Sequence, residues 1–321
     1  MANLLRTLRF LEKALLKKNP CMLLQVVESR GSSPGRSGFC MGVNGQGEMA
    51  GSIGGGIMEH KLVEFARASL RENSREKRVM QQIHSKEGSG PKSGMICAGE
   101  QTVLLYPLNE AHLTVIQELI CAEEKHYPVL FALRPPGIFI DDLSSTPTGW
   151  FPGAAGNWEY VGIAGKKPVL HIVGSGHCAL ALSQQMNWLG FHVKVYETRP
   201  DLNTLNDNQH ADVVEILSSY HQIRPLLEHR LHDFIVVMTF GYRSDDEVIR
   251  ALRDLPFEWM GLLGSQTKID RMMEEYRREG FDDDWLKGIS APVGMAIKSQ
   301  TPEEIAVSIA AEIIAWRNRN L

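Results

Sequence analysis

The chain has 321 residues, 43% hydrophobic and 22% charged, with a formal net charge of −4. That is room for about two domains of ordinary soluble composition. No apolar run reaches the ~18 residues of a membrane helix, and the mixed-charge start MANLLRTLRFLEKALLKK lacks a signal peptide's apolar segment and cleavage site, so the expected compartment is the cytoplasm, with no membrane contact.

Charge is unevenly spread. Residues 1–108 hold 15 Lys and Arg against 9 Asp and Glu, a net of +6, and the remainder carries −10. The sign change points to two parts with different surfaces. The basic part suits a small anion, and is too weakly charged and too poor in interleaved aromatics for nucleic acid. Five scattered cysteines (Cys21, Cys40, Cys97, Cys121, Cys178) include no CxxC pair, which argues against a disulfide framework or a cysteine-only zinc site.

Leu4, Leu8, Leu11 and Leu15 recur at helical spacing, and Asn19-Pro20 ends that helix. CMLLQVVES (21–29) reads as a buried strand. After the loop RGSSPGRSG, FCMGV and EMAGS flank NGQG as a hairpin turning at Asn44-Gly45. GSIGGG then leads into a helix from Ile57 to Arg71. Residues 84–94 read as an open loop and TVLLYPL (102–108) as a strand, closing an α+β domain over residues 1–110. Residues 111–165 contain a helix (112–125), strands PVLFALR and GIFID, and the turn-rich PPG, SSTPTG and PGAAGN; they read equally as a subdomain or an extended connection.

Over 166–321 strands and helices alternate: PVLHIVG, a helix stopping at Gly190, FHVKVYE, DFIVVMT, a helix over 245–255, WMGLLG and a helix over 265–280. This pattern predicts an α/β Rossmann-like domain, a doubly wound parallel sheet covered on both faces. Thr301-Pro302-Glu303-Glu304 is a capping box opening a final apolar helix, which packs on that sheet or on a second copy in a homodimer.

Strand–GSGHCA–helix places Gly174, Gly176 and Ala179 in a GxGxxA pattern. The first glycine permits the tight turn, the second lets backbone approach a pyrophosphate, and the small third residue lets helix and strand pack closely. Glu197 ends the next strand, where an acid binds a ribose hydroxyl, and Arg199 follows it. His177 is either a surface residue at the helix start or a ligand contact.

Together these segments resemble one family. GSSPGRSGFCMGV and GSIGGGIMEHKL resemble the N-terminal half of the XdhC/CoxI family. HIVGSGHCALAL, GFHVKVYETRPDL, WMGLLGSQTK and APVGMAIKSQTPEEIAVSIAAEIIA resemble its Rossmann half. The resemblance implies an accessory protein of molybdenum hydroxylases such as xanthine dehydrogenase. Such a protein binds the molybdenum cofactor (molybdopterin), assists its sulfuration, with a cysteine desulfurase as a possible partner, and delivers it to the apoenzyme. Three positions depart from the family pattern. Its Cys-Gly-Gly stands here as Cys97-Ala98-Gly99. Its Thr-His-Asp stands as Thr239-Phe240-Gly241, followed by Tyr242-Arg243. Its GSR-x-K stands as Gly264-Ser265-Gln266-Thr267-Lys268, with one phosphate-directed arginine gone.

Each site keeps two readings. Gly54-Gly55-Gly56 is a packing turn, or a bed of free N–H groups for the cofactor's phosphate, facing a crevice between the domains, with Ser33 and Arg36 alongside. Glu59 favours the helix start or contacts the pterin. Cys97 is a buried thiol, or one that handles cofactor as a thiolate. Gly264, Ser265 and Lys268 cap a helix or hold a phosphate. The chain lacks the cysteine spacing of a plant-type iron–sulfur cluster, which argues against its being the dehydrogenase itself. The rival functions are an NAD(P)-dependent oxidoreductase and a nucleotide-sensing regulator.

Overall fold

The computed structural model describes residues 2–84, 99–141, 147–153, 156–230 and 232–319. The chain divides into two compact units, Met1–Lys166 and Lys167–Leu321.

The first unit opens with helix α1 (Ala2–Leu16), then strands β1 (Cys21–Gly31), β2 (Cys40–Asn44) and β3 (Met49–Gly51), helix α2 (Gly56–Arg71), β4 (Arg78–His84) and β5 (Gly99–Leu108). The strands form an antiparallel sheet in the order β3-β2-β1-β5-β4. β1 is apolar on both faces because both are covered. Met22, Leu24 and Val26 pack with Leu62, Val63, Ala66 and Leu70 of α2. Cys21, Leu23 and Val27 join Leu8, Leu11 and Leu15 of α1 on the other face.

Helix α3 (Leu113–Lys125) and strands β6 (Val129–Leu133), β7 (Ile138–Asp141), β8 (Gly149–Pro152) and β9 (Trp158–Ala164) follow. These strands make a second antiparallel sheet, β7-β6-β9-β8. The middle stretch shares the core of the first unit: Ile116, Leu119, Phe131, Leu133 and Tyr160 belong to the cluster under α1. Strands β4, β8 and β9 lie beyond the sequence expectation. β4, RVMQQIH, lacks a regular apolar–polar alternation, and β8 and β9 adjoin turn-rich stretches.

The second unit contains β10 (Val169–Val173), α4 (His177–Trp188), β11 (His192–Glu197), α5 (Asn203–Asn206), β12 (Val213–Ile216), α6 (Ile223–Leu227), β13 (Phe234–Val237), α7 (Tyr242–Ala251), β14 (Trp259–Leu262), α8 (Gln266–Arg278), α9 (Asp283–Lys287), β15 (Ile289–Ser290) and α10 (Pro302–Arg319). All six strands are parallel, in the order β12-β11-β10-β13-β14-β15. Numbered within the unit this is 3-2-1-4-5-6, the doubly wound Rossmann order. One face is covered by α4 and α10 through Leu182, Met186, Ile309 and Ile313. The other is covered by α7 and α8 through Val248, Ile249, Met272 and Tyr276. Thr301 caps α10, accepting from the Glu304 N–H at 3.3 Å. Among the described residues no helix is long and apolar enough to cross a membrane.

Candidate functional site

Two glycine-bearing loops meet in the first unit. Pro34 and Gly35, after β1, press against Ile53 and Gly54, after β3. A Cβ on Gly54 would lie 2.5 Å from the Gly35 nitrogen and 2.8 Å from the Pro34 carbonyl carbon. Gln101 of β5 joins both loops. Its Oε1 accepts from Ser33 Oγ at 2.8 Å and the Gly35 N–H at 3.1 Å. Its Nε2 donates to Gln82 Oε1 at 2.7 Å and to the Ile53 carbonyl at 3.4 Å. Ser33, Gln82 and Gln101 are buried, so each needs these partners.

The glycine run is occupied by the protein's own anion. Glu59, in the first turn of α2, turns Oε2 back to accept from Ser52 Oγ at 2.8 Å and from the N–H groups of Ile53 and Gly55 at 2.9 and 3.0 Å. The Gly54 N–H donates to Ser52 Oγ at 3.1 Å. The reading of Gly54 and Gly55 as free donors for a phosphate is therefore corrected. The Glu59 carboxylate takes the Gly55 N–H, and the Ser52 hydroxyl takes that of Gly54. Glu59 is correspondingly turned toward this loop. Arg36 is exposed and donates to the Gly31 carbonyl at 3.1 Å within its own loop, and Gly56 opens α2. Cys97, with Lys92 and Ala98, lies outside the described residues. Burial pushes the thiols of Cys21 and Cys40 up to about 12 and about 11, which makes both inert core residues.

In the second unit the chain diverges at the carboxyl ends of β10 and β13, the switch point of the sheet. Gly174 meets the neighbouring strand end, and a Cβ there would strike the Met238 carbonyl oxygen. Gly176 has open space at its Cβ position and an extended backbone, φ −76° and ψ −175°. No side chain caps α4 at Gly176. Between the two glycines, Ser175 is buried, and its Oγ has no partner among the described residues.

Glu197 holds this loop in place. Its Oε2 accepts from the Ser175 N–H at 3.0 Å and from Arg199 Nη2 at 2.9 Å. Its Oε1 accepts from the Thr198 N–H at 2.8 Å, Arg199 Nε at 3.0 Å, the Arg199 N–H at 3.1 Å and Tyr220 Oη at 3.1 Å. Burial pushes its pKa up, but the Arg199 guanidinium and the backbone N–H groups outweigh this and hold the carboxyl below its ordinary value. The expected ribose contact at Glu197 is corrected: the side chain is fully buried and both oxygens are taken by protein donors. The charge presented at this strand end is Arg199, whose Cζ lies 4.3 Å from the ring centroid of Phe240.

Lys268 also turns inward. Its Nζ bonds the buried Asp245 carboxylate and the Leu263 carbonyl, the latter at 3.0 Å. Asp245 Oδ1 in turn accepts from the Thr239 N–H at 3.0 Å and Thr239 Oγ1 at 2.6 Å. Lys268, read from sequence as either solvated or phosphate-binding, is held here in an internal ion pair. Gly264 lies against this lysine, a Cβ there falling 3.0 Å from its Cδ, and Ser265 caps α8. His177 is exposed at the first residue of α4. Sequence reasoning passed over Gln101 and Asp245. The one signal for Gln101 was an amide beside the apolar run of β5; Asp245 resembled an ordinary helix-start acid. Among the described residues no three His, Cys, Asp or Glu side chains gather as metal ligands.

The second unit is thus a Rossmann-type α/β domain with an open glycine loop at its switch point, in one chain with an antiparallel α+β unit. Residues 170–313 match the XdhC Rossmann domain, and residues 14–83 match the XdhC and CoxI family. The chain belongs to the XdhC/CoxI family. It is 25% identical over 313 residues to YqeB of Escherichia coli (strain K12), described as uncharacterized, covering 96% of this chain and 46% of that one. It is 31% identical over 154 residues to a probable xanthine dehydrogenase subunit of Bacillus subtilis (strain 168), covering 48% of this chain and 44% of that one. The chain therefore spans less than half the length of each of these relatives. A crystal structure described as a xanthine dehydrogenase from Bacillus halodurans shares the fold, with a TM-score of 0.72 at 23% identity, covering 98% of this chain and 97% of that one.

Proposed function

We propose that this chain is an accessory protein of a molybdenum hydroxylase such as xanthine dehydrogenase, and that its Rossmann switch point takes a phosphate-linked ring, the pterin of the molybdenum cofactor or a nucleotide. Family membership and the xanthine dehydrogenase names of relatives support the accessory role. The observation that carries the ligand reading is the unfilled edge at Ser175-Gly176. The first turn of α4 has no side-chain cap, the Gly176 position is open, and the buried Ser175 hydroxyl has no partner among the described residues.

These features fit a phosphate. Uncapped helix N–H groups and the helix dipole favour an anion, and a buried hydroxyl without an acceptor is costly until something bonds it. Gly176 backbone and the start of α4 would hold the phosphate, with Arg199 adding charge. The Gly54–Gly55 loop fits less well, because Glu59 already takes the Gly55 N–H and Ser52 Oγ that of Gly54. The cofactor supplies redox chemistry once it reaches the client; this chain's residues bind and orient it. Cys97 is the side chain proposed to meet its sulfur chemistry, with a cysteine desulfurase as donor.

The test is reconstitution of an apo-molybdenum hydroxylase with molybdenum cofactor, with and without the purified chain. The proposal expects faster and more complete activation with the chain present. Activation that the chain leaves unchanged contradicts it.

A further inference from the structure

We propose that Arg199 and Phe240 form a platform on which the planar heteroaromatic ring of a phosphate-bearing ligand stacks. The inference rests on the reading of the switch point as a ligand site and adds the group that recognises the ring. Phe240 follows Thr239 at the end of β13, and Arg199 follows Glu197 at the end of β11. The strand between them, β10, feeds the Gly174–Gly176 loop. The Arg199–Phe240 contact therefore spans the strand end whose loop carries the open Gly176 edge.

Several observations converge. Phe240 is 66% exposed, so the core does not explain it. A single exposed aromatic is ordinary, but this one has a fixed cationic partner with its Cζ 4.3 Å from the ring centroid. That partner is itself held, because Nε and Nη2 of Arg199 are both bonded to the buried Glu197 carboxylate. The same carboxylate holds the Ser175 N–H. One buried group thus aligns the ring platform with the loop bearing the unpartnered Ser175 hydroxyl. Gly241, beside Phe240, has open space at its Cβ position, as Gly176 does. A flat ring gains stacking on such a surface, whereas a ring-free phosphate gains nothing from Phe240.

Calorimetry on the full chain with three probes tests this: ADP, a pterin diphosphate and inorganic pyrophosphate. Phe240→Ala should weaken at least one ring-bearing probe about 5–100-fold, the range of an aromatic stacking partner, and leave pyrophosphate within about twofold. Phe240→Trp should keep the affinity for the ring-bearing probe. Whichever ring binds wild type more tightly identifies the source. Equal affinity of wild type and Phe240→Ala for the ring-bearing probes overturns the proposal, as does wild type binding pyrophosphate as tightly as either ring or binding none of the three. If Phe240→Ala has no effect while the chain still activates an apo-hydroxylase, the accessory reading stands without this platform. If stacking is lost on cue while activation is absent, the platform stands without the accessory role.

Discussion

Glu59 Oε2 lies 3.0 Å from the Gly55 backbone nitrogen, on a loop whose glycines look built for a foreign anion. The helix supplies its own counter-charge instead. Glu59→Ala strips the acceptor from the N–H groups of Ile53 and Gly55 and from the Ser52 hydroxyl. It should cost about 1.5–3 kcal/mol, the range for hydrogen bonds to a charged group. Glu59→Gln keeps an acceptor oxygen and should cost less. Urea melts of both variants check this, and a Glu59→Ala midpoint equal to wild type would sink it.

The neighbouring glycines are required for different reasons. Gly54 has φ 124°, and a Cβ there collides with the Pro34-Gly35 backbone. Gly55 has φ 75° and ψ −174° with open space beside it. That backbone region is essentially glycine's alone, and another residue there costs about 1–3 kcal/mol. Gly55→Ala should fall in that range and Gly54→Ala should exceed it, because strain and collision add. Thermal melts ranking the two in reverse would contradict the packed-loop account.

Lys268 should matter to stability ahead of ligand affinity. Replacing it by Met leaves the buried Asp245 carboxylate without its cation, and breaking such a pair costs about 3–5 kcal/mol. Denaturant unfolding of Lys268→Met should show a loss of this size. A variant of normal stability with weakened phosphate binding would return Lys268 to the role read from sequence.

His171 gives the second unit a pH dependence. It is buried in β10 with Nδ1 2.9 Å from Tyr196 Oη and Nε2 2.9 Å from Asp233 Oδ2. Burial is the largest influence and lowers its pKa below the ordinary 6.5; Asp233 opposes this, and Lys194 and Arg230 add to it. The unfolded chain therefore binds the proton more readily than the folded one. The stability contribution is fully present above about pH 6.5 and is lost as pH falls below that toward the folded value. Unfolding free energies measured from pH 8 to 5 should decline on the acid side, and His171→Gln should flatten that decline. An unchanged slope in the variant would rule out His171 as the source.

The Rossmann unit was legible because its strands are apolar runs with helical periods between them, as in PVLHIVG and HCALALSQQMNWLG. β12 and β15 escaped notice because VVEI and IS are too short to carry a pattern. Spacing locates Glu197 and Lys268 but does not fix their partners. Spacing fixes where a side chain starts, but which donor it finds depends on Arg199, Tyr220 and Asp245, residues brought near by the fold. The anion-loop reading of Gly54–Gly55 failed for the same reason. Glu59 stood in plain view four residues on, and only the backbone path shows it turning back.

The most direct test of the account is Gly176→Val. Among the described residues beyond its chain neighbours, no atom lies within 4 Å of a Cβ added at this position, and the backbone conformation is open to any residue, so the variant should fold with near-normal stability. Its added bulk should exclude phosphate from the start of α4. Titration of wild type and variant with molybdenum cofactor, alongside a nucleotide such as ADP or NAD(P), should show measurable binding of at least one by wild type and at least about tenfold weaker binding by the well-folded variant. Equal affinity in both proteins, or no binding of any of these ligands by wild type, would contradict the assignment of the switch point as the ligand site.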